Sequence, residues 1–195
     1  MIRYGVIGDS YSNGEGVGLE HSWPAQLAQR LGAEVVVNDA VTGWTSQQAI
    51  DHHLPAFEAA RPDVATLQIG VNDWVQGVSA ETFRANLGRL LDAMLAVVGA
   101  PERLICVTIP DFSRTPEGAT YARGRDITAG LAAFNAIIAA ECAARGVSVV
   151  DVFDLSSDTA ADGLHPSAQQ LARWTDRIEP VARQAWFSPA ASRTP

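Results

Sequence analysis

The sequence predicts an α/β fold with three layers, α/β/α, in which helices cover both faces of a five-stranded parallel sheet. Short apolar segments alternate along the chain with longer segments in which apolar residues recur at helical spacing. Glycine, proline or aspartate marks most boundaries between them. Because 195 residues suit one hydrophobic core, we expect a single domain over residues 1–187 and a flexible tail at 188–195.

Five segments have the composition of buried strands, since they are short, rich in aliphatic residues and bounded by turn residues. They are residues 2–7, 34–37, 64–69, 104–109 and 147–152. Gly8 ends the first segment and Pro110 ends the fourth.

The helical segments begin at residues whose side chains can accept hydrogen bonds from the first free N–H groups of a helix. These candidate caps are Ser22, Thr45 or Ser46, Ser79 and Ser167. The predicted helices cover residues 23–31, residues from 45 or 46 to about 57, and residues 79–98, 127–144 and 167–187. Gly146 is suited to end the fourth of them.

Parallel strands joined by right-handed crossovers account for this alternation of strands and helices. The commonest arrangement in so short a chain is the flavodoxin-like strand order 2-1-3-4-5. In such sheets ligands bind beyond the carboxyl ends of the strands. Candidate functional residues are therefore those that follow directly after each strand.

The composition excludes several classes of function. A formal net charge of −8 opposes binding to nucleic acid, and no apolar run reaches the length of about 18 residues that a membrane span requires. All 14 basic residues are arginine, which excludes a P-loop lysine and a lysine Schiff base. The N-terminus reads as a strand rather than as a secretory signal, so we expect a cytoplasmic protein with Cys106 and Cys142 as free buried thiols.

Polar residues or glycines follow four of the five predicted strands. Gly8-Asp9-Ser10 follows the first strand, Gly43 the second, Asn72 the third, and Asp162 and His165 follow the fifth. The order 2-1-3-4-5 places the first strand between the second and the third. Gly43 and Asn72 should therefore flank Ser10.

This set of residues can perform acyl transfer. A serine hydroxyl is a weak nucleophile that needs a neighbouring base, and His165 is suited to serve Ser10. Asp162 lies three residues before His165, where its carboxylate can orient the imidazole and stabilise the protonated form. His21 remains an alternative base. Three other carboxylates remain alternatives to Asp162, namely Asp151, Asp154 and Asp158.

Stabilisation of the tetrahedral intermediate requires hydrogen-bond donors for its oxyanion. The backbone N–H groups of Ser10 and Gly43 and the side-chain amide of Asn72 can supply three. The fifth strand lies three strand spacings, roughly 14 Å, from the first. The loop of residues 154–165 is long enough to cross that distance, and it must fold inward to bring His165 to Ser10.

Four short blocks occur in order, each at a strand end: Gly8-Asp9-Ser10-Tyr11-Ser12, Gly43, Gly70-Val71-Asn72-Asp73 and Asp162-Gly163-Leu164-His165-Pro166. In these blocks the chain resembles the SGNH hydrolase family, also called GDSL-like esterases and lipases, over roughly residues 2–187. The resemblance implies a triad of Ser10, His165 and Asp162, an oxyanion hole from Ser10, Gly43 and Asn72, a flavodoxin-like sheet, and neither metal nor cofactor. Tyr11 stands where the family often has leucine, and the Gly-x-Ser-x-Gly elbow of the larger α/β-hydrolases is absent.

Aromatic residues near the catalytic edge are candidates for an acyl or aryl pocket, namely Tyr11, Trp44, Trp74 and Phe112. The loop of residues 111–125 is a candidate lid or specificity loop. Its arginines are either solvated or contacts for an anionic substrate group, and they are Arg114, Arg123 and Arg125.

Other polar residues receive structural interpretations. Adjacent residues of a helix face different directions, so we expect His52 and His53 to be solvated on the surface rather than to bind a metal. We expect Asp9 to stabilise the turn before Ser10, and Asp73 to act as a structural hydrogen-bonding partner.

The leading hypothesis is a metal-independent esterase that hydrolyses small-molecule carboxylic esters through an acyl-enzyme. Transfer of the acyl group to a sugar or alcohol remains an alternative, because only the acceptor differs. A flavodoxin-like module that binds phosphate or FMN at the loop of residues 8–18 is a second alternative, although it leaves Asp162 and His165 without a role. We expect a monomer or a small homo-oligomer.

Overall fold

The computed structural model describes residues 1–187, so the tail predicted at 188–195 lies outside the described residues. One parallel sheet has the strand order β2-β1-β3-β4-β5, which confirms the prediction. The strands are β1 (Arg3–Gly8), β2 (Glu34–Asn38), β3 (Val64–Gln68), β4 (Leu104–Val107) and β5 (Ser148–Val150). The central strand β3 is buried along its whole length.

Helices cover both faces of this sheet and complete the predicted three layers. Within residues 1–187 the α-helices are α1 (Ser10–Asn13), α2 (Trp23–Leu31), α3 (Ser46–Gln48), α4 (Leu54–Ala60), α5 (Val71–Gln76), α6 (Ala80–Val98), α7 (Gly118–Ala122), α8 (Ile127–Ala143) and α9 (Ala168–Phe187). On one face α2 packs against α9, and on the other α6 packs against α4 and α8.

Several element boundaries differ from the prediction. The helix predicted to run to residue 57 is divided into α3, a π-helical segment over Ala49–His53, and α4. The last two strands are shorter than predicted because the Thr108 hydroxyl donates to Asp151 and accepts from the Val152 N–H, so a side chain takes over the pairing there. The short helices α1, α5 and α7 were not predicted, since so few residues show no periodicity.

A buried chain of hydrogen bonds crosses the sheet below the strand ends. The Trp23 indole N–H donates to Gln68 Oε1 at 2.9 Å, and Gln68 Nε2 donates to the Thr108 carbonyl at 3.1 Å. Trp23 and Gln68 are almost fully buried. The bridge therefore satisfies polar groups in α2, β3 and the segment after β4 that water cannot reach.

Two further expectations concern the core and the membrane. Cys106 and Cys142 are both free and buried, as predicted. Within residues 1–187, no helix combines the length and the apolar character needed to cross a membrane.

Gln68→Ala should lower the free energy of unfolding by about 2–4 kcal/mol, because it leaves the Trp23 N–H and the Thr108 carbonyl buried without partners. Urea unfolding followed by circular dichroism measures this loss. Gln47→Ala is the control, since Gln47 is exposed and its side chain donates to the exposed Asp51; it should change stability by less than about 0.5 kcal/mol. Equal stability of the two variants would show that the buried bridge contributes nothing.

Candidate active site

Ser10 lies at the point where β1 turns into α1. The Asp9 carboxylate accepts a hydrogen bond from the Tyr11 N–H at 3.1 Å and so caps this short helix, as the predicted turn-stabilising role requires. A Cβ on Gly8 would come within 2.2 Å of Ser12 Oγ, so the tight turn admits only glycine there. The Ser10 side chain is nearly buried but borders a cavity at the carboxyl edge of the sheet.

Gly43 lies on one side of that cavity, in a turn closed by a hydrogen bond from the Trp44 N–H to the Val41 carbonyl. Its φ of 84° at the third position is that of a type II turn, which favours glycine. A Cβ there would meet no atom within 4 Å, so backbone conformation rather than crowding requires the glycine.

Asn72 lies on the other side, in the first turn of α5, and borders the same cavity. Its side-chain amide donates to the Trp44 carbonyl at 3.0 Å. Gln76, from the same helix, donates to the Gly43 carbonyl at 2.8 Å. Helix α5 therefore holds the Gly43 turn through two side-chain amides, and Asn72 keeps a second N–H available.

Asp73 ties α5 to α3 from below. Its buried carboxylate accepts hydrogen bonds from the backbone N–H and the hydroxyl of Ser46, and Asn86 donates to the same hydroxyl at 3.1 Å. Burial raises the pKa of Asp73, although both hydrogen bonds from Ser46 oppose the shift. The prediction that Asp73 is a structural hydrogen-bonding partner is confirmed.

His165 reaches this edge on the loop after β5. Asp162 Oδ2 lies 2.7 Å from His165 Nδ1, while its Oδ1 accepts from the backbone N–H groups of Leu164 and His165. Partial burial acts to raise the pKa of Asp162, but these hydrogen bonds outweigh it and lower the pKa. The carboxylate is therefore held ionised against the imidazole, which places the imidazole proton on Nδ1.

The loop that carries His165 folds inward by packing against the loop after α1. A Cβ on Gly16 would lie 2.8 Å from Ala160 Cβ and 3.5 Å from Asp162 Oδ2, so only a glycine permits this approach. Within the loop, the Ala160 N–H donates to the His165 carbonyl at 2.7 Å. These contacts carry His165 across the sheet edge to the cavity that Ser10 borders.

The Ser10 hydroxyl and His165 border one cavity, but the described residues contain no hydrogen bond between them. The structure thus contains the carboxylate–imidazole link of the predicted triad and places the serine beside it. Tyr11 packs edge-on against both His165 and Trp174, with ring centroids 6.0 and 5.6 Å apart, and so supports the imidazole from below.

The cavity has a volume of about 120 Å³. Its walls are largely apolar, and its lining consists of Ser10, Tyr11, Thr42, Gly43, Val71, Asn72, Val75, Phe112, Tyr121, Leu164 and His165. Tyr11 and Phe112 are therefore in the lining, as expected for pocket residues, whereas Trp44 and Trp74 are not. Val75 and Tyr121 had no signal in the sequence, because they lie on the short helices α5 and α7.

Trp74 is an anchor for the 111–125 loop instead. Phe112 packs edge-on against it at 6.0 Å, and the Arg125 guanidinium lies 4.0 Å from its ring centroid. Arg125 also donates to the carbonyls of Trp74 and Val75, at 2.5 and 2.9 Å. Arg114 and Arg123 are exposed, so of the three loop arginines only Arg125 is committed to a contact at this edge.

The alternative site residues have other partners. His21 is exposed, with Glu20 3.9 Å away. The three other carboxylates are bonded elsewhere: Asp151 to Thr108, Asp154 to Arg177 and Asp158 to Ser167. Among the described residues, no group of three or more histidine, cysteine or carboxylate side chains could hold a metal ion.

The expectation that His52 and His53 are both solvated was wrong for His53. His53 is 2% exposed and stacks on Trp44, and His52 packs against the same indole. His53 lies at helical spacing from the buried residues Ser46, Ala49, Ile50 and Phe57 and so faces the core, whereas the adjacent His52 is exposed.

The chain is similar in sequence to proteins of one family. The family model described as GDSL-like lipase/acylhydrolase matches residues 6–172. An arylesterase from Vibrio mimicus is 27% identical over 109 residues, which cover 54% of this chain and 54% of that protein. A thioesterase 1/protease 1/lysophospholipase L1 from Escherichia coli (strain K12) is 27% identical over 97 residues, or 49% of this chain and 47% of that protein. The chain thus spans about half the length of the curated relatives that it matches.

A solved structure shares the fold along nearly the whole chain. A carbohydrate acetylesterase family member from Sinorhizobium meliloti superposes with a TM-score of 0.76 over 96% of this chain and 100% of that chain. Its sequence identity is 19%, so the likeness concerns the fold.

Asp9 combines its capping role with an unusual environment. Its Oδ2 atom is buried and has no hydrogen-bond partner among residues 1–187. Burial raises the pKa of Asp9 to about 7; the Tyr11 N–H opposes the shift, and the Asp73 carboxylate adds to it. A carboxyl group that is half-protonated near neutral pH therefore lies directly before Ser10.

Asp9→Asn should remove a pH dependence of stability. Between about pH 3.9, the ordinary pKa of aspartate, and about pH 7 the unfolded chain has lost this proton and the folded chain retains it. The wild-type free energy of unfolding therefore falls as the pH rises through this range. The stability of Asp9→Asn relative to wild type should therefore be greater at pH 8 than at pH 4, by about 4 kcal/mol.

Urea unfolding at both pH values measures this difference. Asn retains an acceptor for the Tyr11 N–H, so the cap survives the substitution. Glu58→Gln, which changes an exposed carboxylate, is the control and should follow wild type at both pH values. A constant difference between Asp9→Asn and wild type would contradict a buried, protonated Asp9.

Proposed function

The chain belongs to the GDSL-like lipase/acylhydrolase family, and we propose that it hydrolyses small carboxylic esters through an acyl-enzyme formed on Ser10. The observation that carries the proposal is the 2.7 Å contact between Asp162 Oδ2 and His165 Nδ1, beside a cavity that Ser10, Gly43 and Asn72 share. The arylesterase, thioesterase and lysophospholipase names of the curated relatives support the same class of reaction.

In the proposed reaction His165 acts as general base and then as general acid. Its Nε2 removes the proton from Ser10 Oγ as the oxygen attacks the ester carbonyl, and it returns that proton to the leaving alcohol. Water then attacks the acyl-enzyme by the same route and releases the acid. Asp162 stabilises the imidazolium in both steps, because its carboxylate remains ionised at 2.7 Å from Nδ1.

The Ser10–His165 hydrogen bond forms in this proposal when substrate enters. Catalytic hydrogen bonds are often long without substrate and shorten in the Michaelis complex. Both side chains already border the cavity, so they lie at the place where a bound ester would meet them.

The oxyanion of the tetrahedral intermediate would be bound by the N–H groups of Ser10 and Gly43 and by the Asn72 amide. Gly43 and Asn72 both border the cavity, and Asn72 donates to the carbonyl of Trp44, the residue after Gly43. These donors are fixed before substrate arrives, and such preorganised dipoles lower the barrier most.

The size and chemistry of the cavity favour a short, uncharged acyl group. A void of about 150 Å³ lined by apolar side chains holds one benzene molecule, and this cavity measures about 120 Å³. Its lining contains no arginine, aspartate or glutamate. The 111–125 loop contributes the aromatic residues Phe112 and Tyr121 to the lining.

Ser10→Ala and His165→Ala should each lower kcat for para-nitrophenyl acetate by about 10⁴- to 10⁶-fold, because each removes a group that acts in bond making. Steady-state kinetics on folded protein measures the loss. The matched control is Ser157→Ala, since Ser157 is exposed and lies outside the cavity lining. A fluorophosphonate should label Ser10, which peptide mass spectrometry identifies. Undiminished turnover by Ser10→Ala would contradict the proposal.

A series of para-nitrophenyl esters should show a preference for short acyl chains. We expect kcat/KM to be highest for acyl groups of about two to six carbons and at least about tenfold lower at twelve, because a longer chain must leave an apolar cavity of this size. Phe112→Ala, which enlarges the cavity, should shift the optimum to longer acyl groups. A maximum at twelve carbons in the wild type would contradict the assignment of this cavity to the acyl group.

A further inference from the structure

The Trp44 side chain turns away from the cavity and packs on two histidines. Its ring centroid lies 4.5 Å from that of His53, with an angle of 27° between the planes, and 5.0 Å from that of His52. Trp44 directly follows Gly43, so this aromatic cluster is joined by one peptide bond to the proposed oxyanion donor.

Polar contacts from two elements hold the Gly43 turn. The Gln76 and Asn72 amides, both from α5, donate to the carbonyls of Gly43 and Trp44. Thr42 is exposed, but its hydroxyl accepts a hydrogen bond from Asn13 at 3.2 Å and donates to the Glu15 carboxylate, so the end of α1 also restrains the turn. The indole of Trp44 adds an apolar contact to these polar ones, and its position depends on the histidine rings that it packs against.

Of the two histidines that pack on Trp44, His53 is the more firmly placed. It is 2% exposed, whereas His52 is exposed, and it stacks more nearly parallel to the indole. Both ring nitrogens of His53 are buried. Burial lowers the pKa of His53 to about 4, although the nearby Asp39 opposes the shift. The ring is therefore neutral near pH 7, and it supports Trp44 through packing rather than through charge.

His53 ends a π-helical segment over Ala49–His53. Its side chain lies on the buried face that also carries Ser46, Ala49, Ile50 and Phe57, and there it stacks on Trp44. Such segments are uncommon and are often found at functional sites. Here the segment connects two helices, α3 and α4, and α3 is itself fixed to α5 through Ser46 and Asp73.

We propose that His53 is a positioning residue for the oxyanion hole: its ring, stacked on Trp44, holds the Gly43 N–H at the cavity wall. The inference rests on the proposed function, in which Gly43 binds the oxyanion. Because the oxyanion exists only in the intermediate and the flanking transition states, loss of the stack should lower kcat and leave KM nearly unchanged.

The test compares His53→Ala with His53→Phe. His53→Ala should lower kcat for para-nitrophenyl acetate by about 10- to 100-fold, as expected for a displaced oxyanion donor, with KM within about threefold of wild type. Hydrogen exchange of the backbone amides at residues 42–45 should become faster in the same variant. His53→Phe restores the stacked shape and should recover most of kcat and the slow exchange.

Trp44→Leu removes the other half of the stack and should have the same effect as His53→Ala. The double variant His53→Ala, Trp44→Leu should have a kcat no lower than that of either single variant, because the two residues act through one contact. His21→Ala is the matched control, since His21 is an exposed histidine away from the cavity lining.

Three results would each overturn the positioning role. They are wild-type kcat in folded His53→Ala, additive losses of kcat in the double variant, and failure of His53→Phe to recover kcat. If His53→Ala does not fold, Trp44→Leu decides, because Trp44 is half-buried; wild-type kcat in that variant overturns the proposal. Ser10→Ala is the reference: if it is inactive and His53→Ala is not, only the positioning role fails.

Discussion

The strand order of the parallel sheet is the constraint on which the site depends. With β1 between β2 and β3, the segments that follow these three strands emerge side by side at one edge, and they carry Ser10, Gly43 and Asn72. The loop after β5 must also reach this edge, and β5 lies at a distance from β1. Its inward path requires a glycine at residue 16, in the loop after α1, because any side chain there would collide with the loop that carries Asp162.

Three aspartates near this edge show how surroundings decide the chemistry of one side chain. Asp9 is buried with one oxygen unpartnered, and its pKa rises to about 7. Asp73 is buried but accepts two hydrogen bonds from Ser46, so its charge is partly compensated while it ties α5 to α3. Asp162 accepts from two backbone N–H groups and faces His165, and its pKa is lowered. Only the last is suited to stabilise an imidazolium at neutral pH.

The two walls of the cavity are supported in different ways. On the side of the 111–125 loop, Arg125 and Phe112 pack on Trp74, so the loop is attached to α5 through a tryptophan that lies outside the lining. On the side of the Gly43 turn, Trp44 packs on His53 and also lies outside the lining. In both places a tryptophan that is adjacent in sequence to a cavity residue supports that residue from outside the lining. The rigidity of the site therefore depends on residues that a substrate would not touch.

The sequence by itself determined the strands, their order, the glycine positions and the candidate residues at strand ends, because periodicity, caps and turn residues are local signals. It also singled out Trp44, Trp74, His52 and His53, but only the tertiary structure decided where they point. The stacking of His53 on Trp44 depends on how the Gly43 turn packs against the helical segment, and the cavity lining by Val75 and Tyr121 depends on helices too short to show periodicity. These features arise from packing between elements distant in the chain, about which a local pattern carries no information.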